Sequence, residues 1–306
     1  VPPPSRIPSL LHESAVTFAG TGARQVDMNQ YNVPLEEAVK EWTANLVPKT
    51  PDTEEGVYLG VANGRELFPD ILKINLKRRK GAGLGIQLPE IAGGREAGLG
   101  ITLVAGLVEG GIAEGSDILE GDSITRVAVQ RSSQQKQQGS GIAEMEQVIS
   151  VRTECLGYDA TVEAIQSLPE PMTEDETIVL TVKRVRRKPQ IKVRLEYPPD
   201  QNEEPTTITL FAGENLRLGM LVRGIKLNDP LAKRFDTKSG GNCGAGGLCR
   251  TCVVKVMDGM DVLNPQKLPE KQMLEDSPRW RLACKAFVGY GMREGELMVQ
   301  VNPRQW

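Results

Sequence analysis

Three cysteines within ten residues of a glycine-rich stretch, SGGNCGAGGLCRTC at 239–252, and a fourth 32 residues later constrain this chain more than any other feature. They are Cys243, Cys249, Cys252 and Cys284. Crowded thiolates are metal ligands, and the fold must bring the distant one back to the loop. The glycines have a physical role in such a site. A thiolate-ligated centre is anionic, so the loop must aim backbone N–H groups inward and bring the main chain close. Gly240, Gly241, Gly244, Gly246 and Gly247 allow that approach because they carry no Cβ.

The spacing reads as an iron-sulfur site. Plant-type two-iron two-sulfur centres use a C-x4-C-x2-C loop with a remote fourth cysteine; here the first gap is five residues. A zinc ribbon more often shows two C-x2-C pairs on separate knuckles, which makes zinc the less favoured metal. Three cysteines in ten residues also suit a metal better than two spaced disulfides. The Rieske arrangement needs two His ligands, and the only histidine is the remote His12. Cys155, the fifth cysteine, reads as a small core residue.

Charge and composition exclude several functions. Residues 1–188 carry 20 basic and 26 acidic side chains and residues 189–306 carry 17 and 14, so the cysteine-bearing part is mildly basic. Freely diffusing plant-type ferredoxins are usually strongly acidic. Nucleic acid is a poor partner: the basic runs KRRK at 77–80 and KRVRRK at 183–188 lack interleaved aromatics, and both read as solvated faces. A single histidine and the absence of G-x-S-x-G or Walker A patterns argue against an enzyme. GAGLG at 81–85 fails as a nucleotide loop because Ile86 stands where the third glycine is needed. No apolar run approaches the roughly 18 residues of a membrane span. The chain begins at Val1 rather than Met, which suggests a processed N-terminus with a targeting segment removed or not included.

The chain reads as multidomain and mainly β with short helices, an α+β class. Residues 1–55 open with the proline-rich VPPPSRIPS and then show one amphipathic helix, with Pro34 in its first turn and Leu35, Ala38, Val39 and Trp42 on one face. This segment is expected either to pack on its own domain or to dock on a partner. Over 56–188 short strands follow: 71–78, then a glycine turn into 81–88, 101–107, the region of Ser123 to Val127, and ETIVLTVKRV at 176–185. QRSSQQKQQGSG at 130–141 is a loop by composition. DATVEAIQSL at 159–168 reads as a helix with Val162, Ile165 and Leu168 inward.

This order of elements resembles a PDZ domain, a β-barrel or sandwich fold, on two motifs: Leu84-Gly85-Ile86, which matches the carboxylate-binding loop, and GGIAEGSDILEGDSITRV, which matches the stretch with a short helix and a Gly-Asp turn. The resemblance implies that N–H groups of Leu84, Gly85 and Ile86 capture a C-terminal peptide, which adds as a strand beside a helix starting near Tyr158. Two departures are the lack of a histidine at that helix start and the polar insertion. The alternative is a PDZ fold used as a spacer.

After Pro189, residues 189–306 open with alternating strands IKVRLEY and TTITLFAG and a helix NLRLGMLVRG; the cysteine loop, CVVKVMDGMDVL, RWRLAC and GELMVQVN follow. This run resembles the 2Fe-2S ferredoxin family, a β-grasp fold, and RWRLACKAFVG and VQVNPRQW look most like the ferredoxin-like subunit of the plastid NAD(P)H dehydrogenase-like complex. The resemblance implies a 2Fe-2S cluster held by Cys243, Cys249, Cys252 and Cys284, with Asn242, Gly244, Ala245, Gly247 and Leu248 donating or shaping backbone contacts to it. It also implies a peripheral, electron-transferring subunit on the stromal side of the thylakoid membrane, docked on protein subunits of a photosystem or NDH-like complex. The alternative is a non-redox assembly factor in which the cluster is structural. A third possibility, the electron-carrying part of an oxygenase or reductase system, would need a separate flavoprotein.

Overall fold

The computed structural model describes residues 23–49, 56–93, 98–132, 145–170, 176–225, 227, 229 and 243–306. The proline-rich opening, His12, Gly240, Gly241, Asn242 and most of the polar stretch 130–141 lie outside these residues. The protein is mainly β, and its described helices are six to nine residues long. It divides into two compact units, one of residues 27–189 and one in which residues up to 26 join 190–306. Of the expected segment 1–55, the described residues 27–49 group with the unit 27–189. A two-residue strand, β1 (Arg24–Gln25), belongs with the C-terminal unit, whereas the residues from 27 onward belong with the other.

In the unit 27–189, α1 (Leu35–Glu41) starts after Pro34 and carries Glu36 and Glu37 in its first turn and Lys40 in its last, a charge order that complements the helix dipole. Ala38 is buried, but Val39 is exposed at 37%, so the inward face is narrower than expected. Trp42 opens β2 (Trp42–Val47), which pairs with β3 (Gly56–Val61). Val33, Ala38, Trp42, Leu59, Leu67, Leu103, Cys155 and Val185 form one buried cluster, and the Trp42 indole N–H donates to the Gly121 carbonyl at 3.1 Å. Residues 33–42 thus supply part of this unit's core.

β4 (Leu67–Lys77) is longer than the expected 71–78 and forms a sheet edge, where Pro69 is tolerated because no donor is needed on its open side. β5 (Ile86–Gln87), β6 (Glu90–Gly93), β7 (Gly100–Thr102) and β8 (Gly106–Leu107) are short; β5 pairs β8 and β6 pairs β7. The single strand expected over 101–107 is thus split in two. β9 (Ser123–Ser132) runs through Gln130, Arg131 and Ser132, which the sequence places in a loop, and β10 (Met145–Arg152), not foreseen at all, pairs with it. After α2 (Tyr158–Gln166) comes β11 (Thr177–Arg187), and the sheet order is β10-β9-β11-β4.

The reading of 183–188 as a solvated face is overturned. Its first five residues end β11 and pair with β4, where Val185 is buried and Arg184 and Arg186 are 6% and 5% exposed, although Arg187 remains exposed. Arg184 makes a two-pronged contact with the fully buried Asp122, Nε to Oδ1 at 2.7 Å and Nη2 to Oδ2 at 2.8 Å, and Arg186 pairs with Asp70 at 3.0 Å. Such cations remain inside because hydrogen-bonded partners replace lost water. At 77–80, Arg78 reaches the buried Glu176 at 3.0 Å, while Lys77, Arg79 and Lys80 are exposed.

In the C-terminal unit, β12 (Gln190–Glu196) pairs antiparallel with β13 (Thr206–Phe211), and α3 (Leu216–Leu221) precedes the cysteine loop. β14 (Val253–Asp258), α4 (Leu268–Met273), β15 (Trp280–Leu282) and β16 (Arg293–Val301) complete the unit. The order is β13-β12-β16-β14-β15, with β12 and β16 parallel at the centre and β1 paired to the start of β16. Alternation in β12 sends Ile191, Val193 and Leu195 inward, where they meet Leu210, Leu216, Met220, Val254, Leu297 and Val299. Cys252 and Cys284 border this apolar cluster, so the folded core reaches directly to the thiols.

Candidate metal centre

The fourth cysteine is positioned by two asparagines, one on each side of its turn. Asn215 caps α3: its Oδ1 accepts the Leu218 N–H at 3.0 Å, while its Nδ2 donates to the carbonyls of Cys284 at 3.0 Å and Ala286 at 3.3 Å. Asn264 Oδ1 accepts the Phe287 N–H at 2.7 Å, and its Nδ2 donates to the Lys285 carbonyl at 3.3 Å. The backbone of 284–287 is therefore clasped by side chains 69 and 23 residues away in sequence. Cys284 itself sits in a single 3-10 turn just after β15.

The loop cysteines are held by backbone donors. The Cys243 N–H donates to Cys249 Sγ at 3.3 Å and the Leu248 N–H to Cys243 Sγ at 3.4 Å, and the Thr251 hydroxyl lies 3.0 Å from Cys249 Sγ. Gly244, Ala245, Gly247 and Arg250 have positive φ, which turns successive N–H groups toward the thiols. Gly247, at φ +85, is the most constrained: a Cβ there would stand 2.6 Å from the Lys285 side chain. Gly244, Ala245 and Leu248 are exposed and Gly247 is buried.

All five described cysteines are free. Burial pushes the Cys243 thiol up, but N–H donors of Cys249, Leu248 and Gly247 outweigh it and bring it down to about 7. The Cys252 thiol is also lowered to about 7, first by the hydrogen bond from Cys284, against burial, with Arg217 nearby favouring the thiolate. Cys284 is pushed up because it holds the shared proton, and burial and the Cys252 charge add to this. The pattern is two pairs, Cys243 with Cys249 and Cys252 with Cys284. Among the described residues no three His, Cys, Asp or Glu side chains are grouped to hold one ion. Two thiol pairs suit two irons better than one metal, and inward N–H donors suit an anionic cluster, so the donor set fits the iron-sulfur group.

The loop is further fixed from the chain end. Asp229, fully buried, receives Arg304 Nη1 at 2.8 Å and its backbone N–H donates to the Thr251 carbonyl at 3.1 Å; Arg304 also reaches the Arg250 carbonyl at 3.4 Å. Asn215, Asn264, Thr251, Asp229 and Arg304 were not singled out by the sequence. Asn215 has one local signal, an Asn just before an apolar helical run; the others depend on long-range contacts.

In the other unit, Gly85 has φ +70 and its Cα lies where a Cβ would come within 2.6 Å of Gly111 Cα. The carbonyls of Gly83, Leu84 and Gly85 accept from Ile112, Ala113 and Val108, whereas no partner is found for the N–H groups of Leu84 and Gly85 among the described residues. Ile86 is in β5, and Tyr158 opens α2 with 48% exposure. The Tyr158 N–H donates to Glu90 Oε2 at 2.7 Å, a link from β6 to the helix start.

Residues 231–289 match the family described as 2Fe-2S iron-sulfur cluster binding domain. The chain is 37% identical over 95 residues to the Arabidopsis thaliana protein named Photosynthetic NDH subunit of subcomplex B 3, chloroplastic, a match covering 31% of this chain and 44% of that protein, so under half of the relative's length is spanned. Among solved structures it is similar to an ISC-like [2Fe-2S] ferredoxin from Pseudomonas putida, at 22% identity and TM-score 0.27, covering 37% of this chain and 91% of that one. A ferredoxin from Trichomonas vaginalis is similar at 18% identity and TM-score 0.25, covering 35% and 99%. The C-terminal part of this chain carries a ferredoxin-like 2Fe-2S cluster binding domain, and its cofactor is a 2Fe-2S cluster.

Proposed function

We propose that this protein is a cluster-bearing, electron-transferring subunit of a photosynthetic membrane complex and not itself an enzyme. Cys243, Cys249, Cys252 and Cys284 are its ligands. The observation that carries the reading is the pairing of four thiols beneath inward-facing N–H groups, in the segment that matches the cluster-binding family. A bound cluster supplies a centre that gains and loses one electron. The chain's own residues do the rest: Gly247, Leu248 and Cys249 offer N–H groups to Cys243, Thr251 offers a hydroxyl to Cys249, and the two asparagines hold the turn of Cys284. Gly244 and Ala245 shape the loop by their positive φ. The likeness to a chloroplastic NDH subunit supports a plastid setting, peripheral on the stromal side of the thylakoid, with NDH-like subunits as partners. No helix of the described residues is long and apolar enough to cross a membrane.

The unit 27–189 is the docking module in this reading. The N–H groups of Leu84 and Gly85, without a partner among the described residues, support a PDZ-like carboxylate loop, and the order of strands from β4 to β11 with α2 supports the fold. The second reading, a structural cluster in an assembly factor, is favoured by one observation: Cys252 and Cys284 are part of the hydrophobic core, so metal binding contributes folding free energy whatever else it does. A redox titration of the reconstituted protein, followed by electron paramagnetic resonance, decides between them. A reversible one-electron signal supports electron transfer, and an intact cluster that cannot be reduced refutes it. Cys249→Ser is expected to abolish the cluster's visible absorption and unfold much of 190–306 while leaving 27–189 folded; unchanged absorption and iron content would refute the ligand assignment.

A further inference from the structure

The three described stretches that carry or border the cysteines, 215–225, 243–257 and 277–293, contain eight lysines and arginines and no carboxylate. Two of these cations lie close to the thiols, and a third lies between two of them in sequence. Arg217 on α3 and Lys285 beside Cys284 lie within electrostatic reach of them, and the Lys285 stem covers Gly247 of the loop. Arg250 stands between Cys249 and Cys252. None of the three side chains has an ion pair or hydrogen bond among the described residues, in contrast to Arg281, which is buried against Glu270 at 3.0 Å. Leu218, next to Arg217 on α3, and Leu248, next to Cys249 in the loop, are 60% and 58% exposed. Apolar side chains set among unpaired cations are the composition of a docking patch, because the apolar part gains on burial while the charges choose the partner.

Resting on the electron-transfer reading above, we propose that this face docks a small acidic redox protein, which exchanges electrons with the cluster across the exposed loop 244–248. The charge balance supports an anionic partner. An oxidised two-iron cluster with four thiolates carries two negative charges, which three nearby cations exceed; one added electron brings the balance to zero. Attraction is therefore stronger before the cluster accepts an electron than after, which favours release of a donor once it has delivered. The orientation is the reverse of that of a freely diffusing acidic ferredoxin, whose own surface supplies the negative charge.

The test uses the full chain with its cluster and, as probe, an oxidised plant-type ferredoxin of strongly acidic surface. Calorimetric affinity is expected to fall about tenfold or more between low salt and roughly 0.3 M salt, as exposed charges are screened. It should fall by a similar factor in K285E and in R217Q, each checked by its visible spectrum to hold a full cluster. Equal affinity in wild type and both variants, no binding of the probe at low salt, or self-association through Leu218 and Leu248 at the same concentrations overturns the proposal. So does binding to vesicles of anionic lipid that the probe fails to displace. Redox titration separates the two readings. A cluster that cannot be reduced, on a protein that still binds the probe through Arg217 and Lys285, refutes electron transfer but not the surface; a reducible cluster with no charge-dependent binding refutes the surface alone.

Discussion

At the scale of single residues, the site is made of polar contacts whose value depends on burial. Thr251 has its hydroxyl 3.0 Å from the sulfur of Cys249, one of the proposed ligands, and a donor to such a sulfur stabilises the more negative, reduced cluster. Thr251→Val is therefore expected to lower the midpoint potential with the cluster retained, as read by redox titration; an unchanged potential would mean that the hydroxyl donates elsewhere. Far from the cluster, Glu154 accepts from Lys183 Nζ at 2.5 Å and from the Leu59 N–H at 3.0 Å, and pairs with Arg152 at 3.0 Å. Burial alone would raise its pKa, but these partners outweigh burial and hold it below the usual glutamate value. The stability Glu154 contributes is thus full above the ordinary carboxylate pKa and lost as pH falls through the lowered one. Urea unfolding from pH 6 down to pH 3 should show a shallower acid loss in Glu154→Gln than in wild type; identical slopes would contradict this.

At the scale of elements, α3 and the turn after β15 act as one piece because Asn215 serves both. Its Oδ1 caps the helix and its Nδ2 holds the Cys284 and Ala286 carbonyls. Asn215→Ala removes the cap and leaves buried acceptors short of a donor, at a cost of about 1–3 kcal/mol. The C-terminal unit should melt lower, and the cluster should bleach faster in the presence of a chelator; an unchanged bleaching rate would limit Asn215 to capping. β11 shows the opposite lesson about charge. Its run KRVRRK looks like a solvated patch, yet β4 pairs along its first five residues, and Arg184 and Arg186 find Asp122 and Asp70. Local composition carried no sign of those partners.

At the scale of the whole molecule, two units with separate cores make two separate responses to metal loss. Cys252 and Cys284 belong to the core of the C-terminal unit, whereas the unit 27–189 buries Leu180, Val182 and Val185 and holds none of the four proposed ligands. Calorimetry of the holo protein and of the protein stripped of iron is expected to show one transition lowered by removal and one left in place. A single transition that shifts as a whole would contradict the assignment of the cluster to one unit.

Much of the site was legible in the chain because ligand chemistry is local: three cysteines and their glycines lie within fourteen residues, and thiolates that crowded have few uses other than metal. The strands of the C-terminal unit were legible too, since alternation along 190–196 and 293–301 states which face is buried. Where residues 33–42 would pack was not, because Val33, Ala38 and Trp42 read alike whether they cover their own unit or a partner. Nor was β10, whose mixed composition MEQVISVR becomes a strand only because the edge of β9 is there to pair with it. The sequence by itself pointed to the four candidate ligands and to the cofactor class through covalent spacing and side-chain chemistry. The tertiary structure alone decided which arginines are buried, which asparagines hold the distant cysteine, and which cations near the thiols lack a partner among the described residues, since each depends on groups tens to hundreds of residues apart meeting in space.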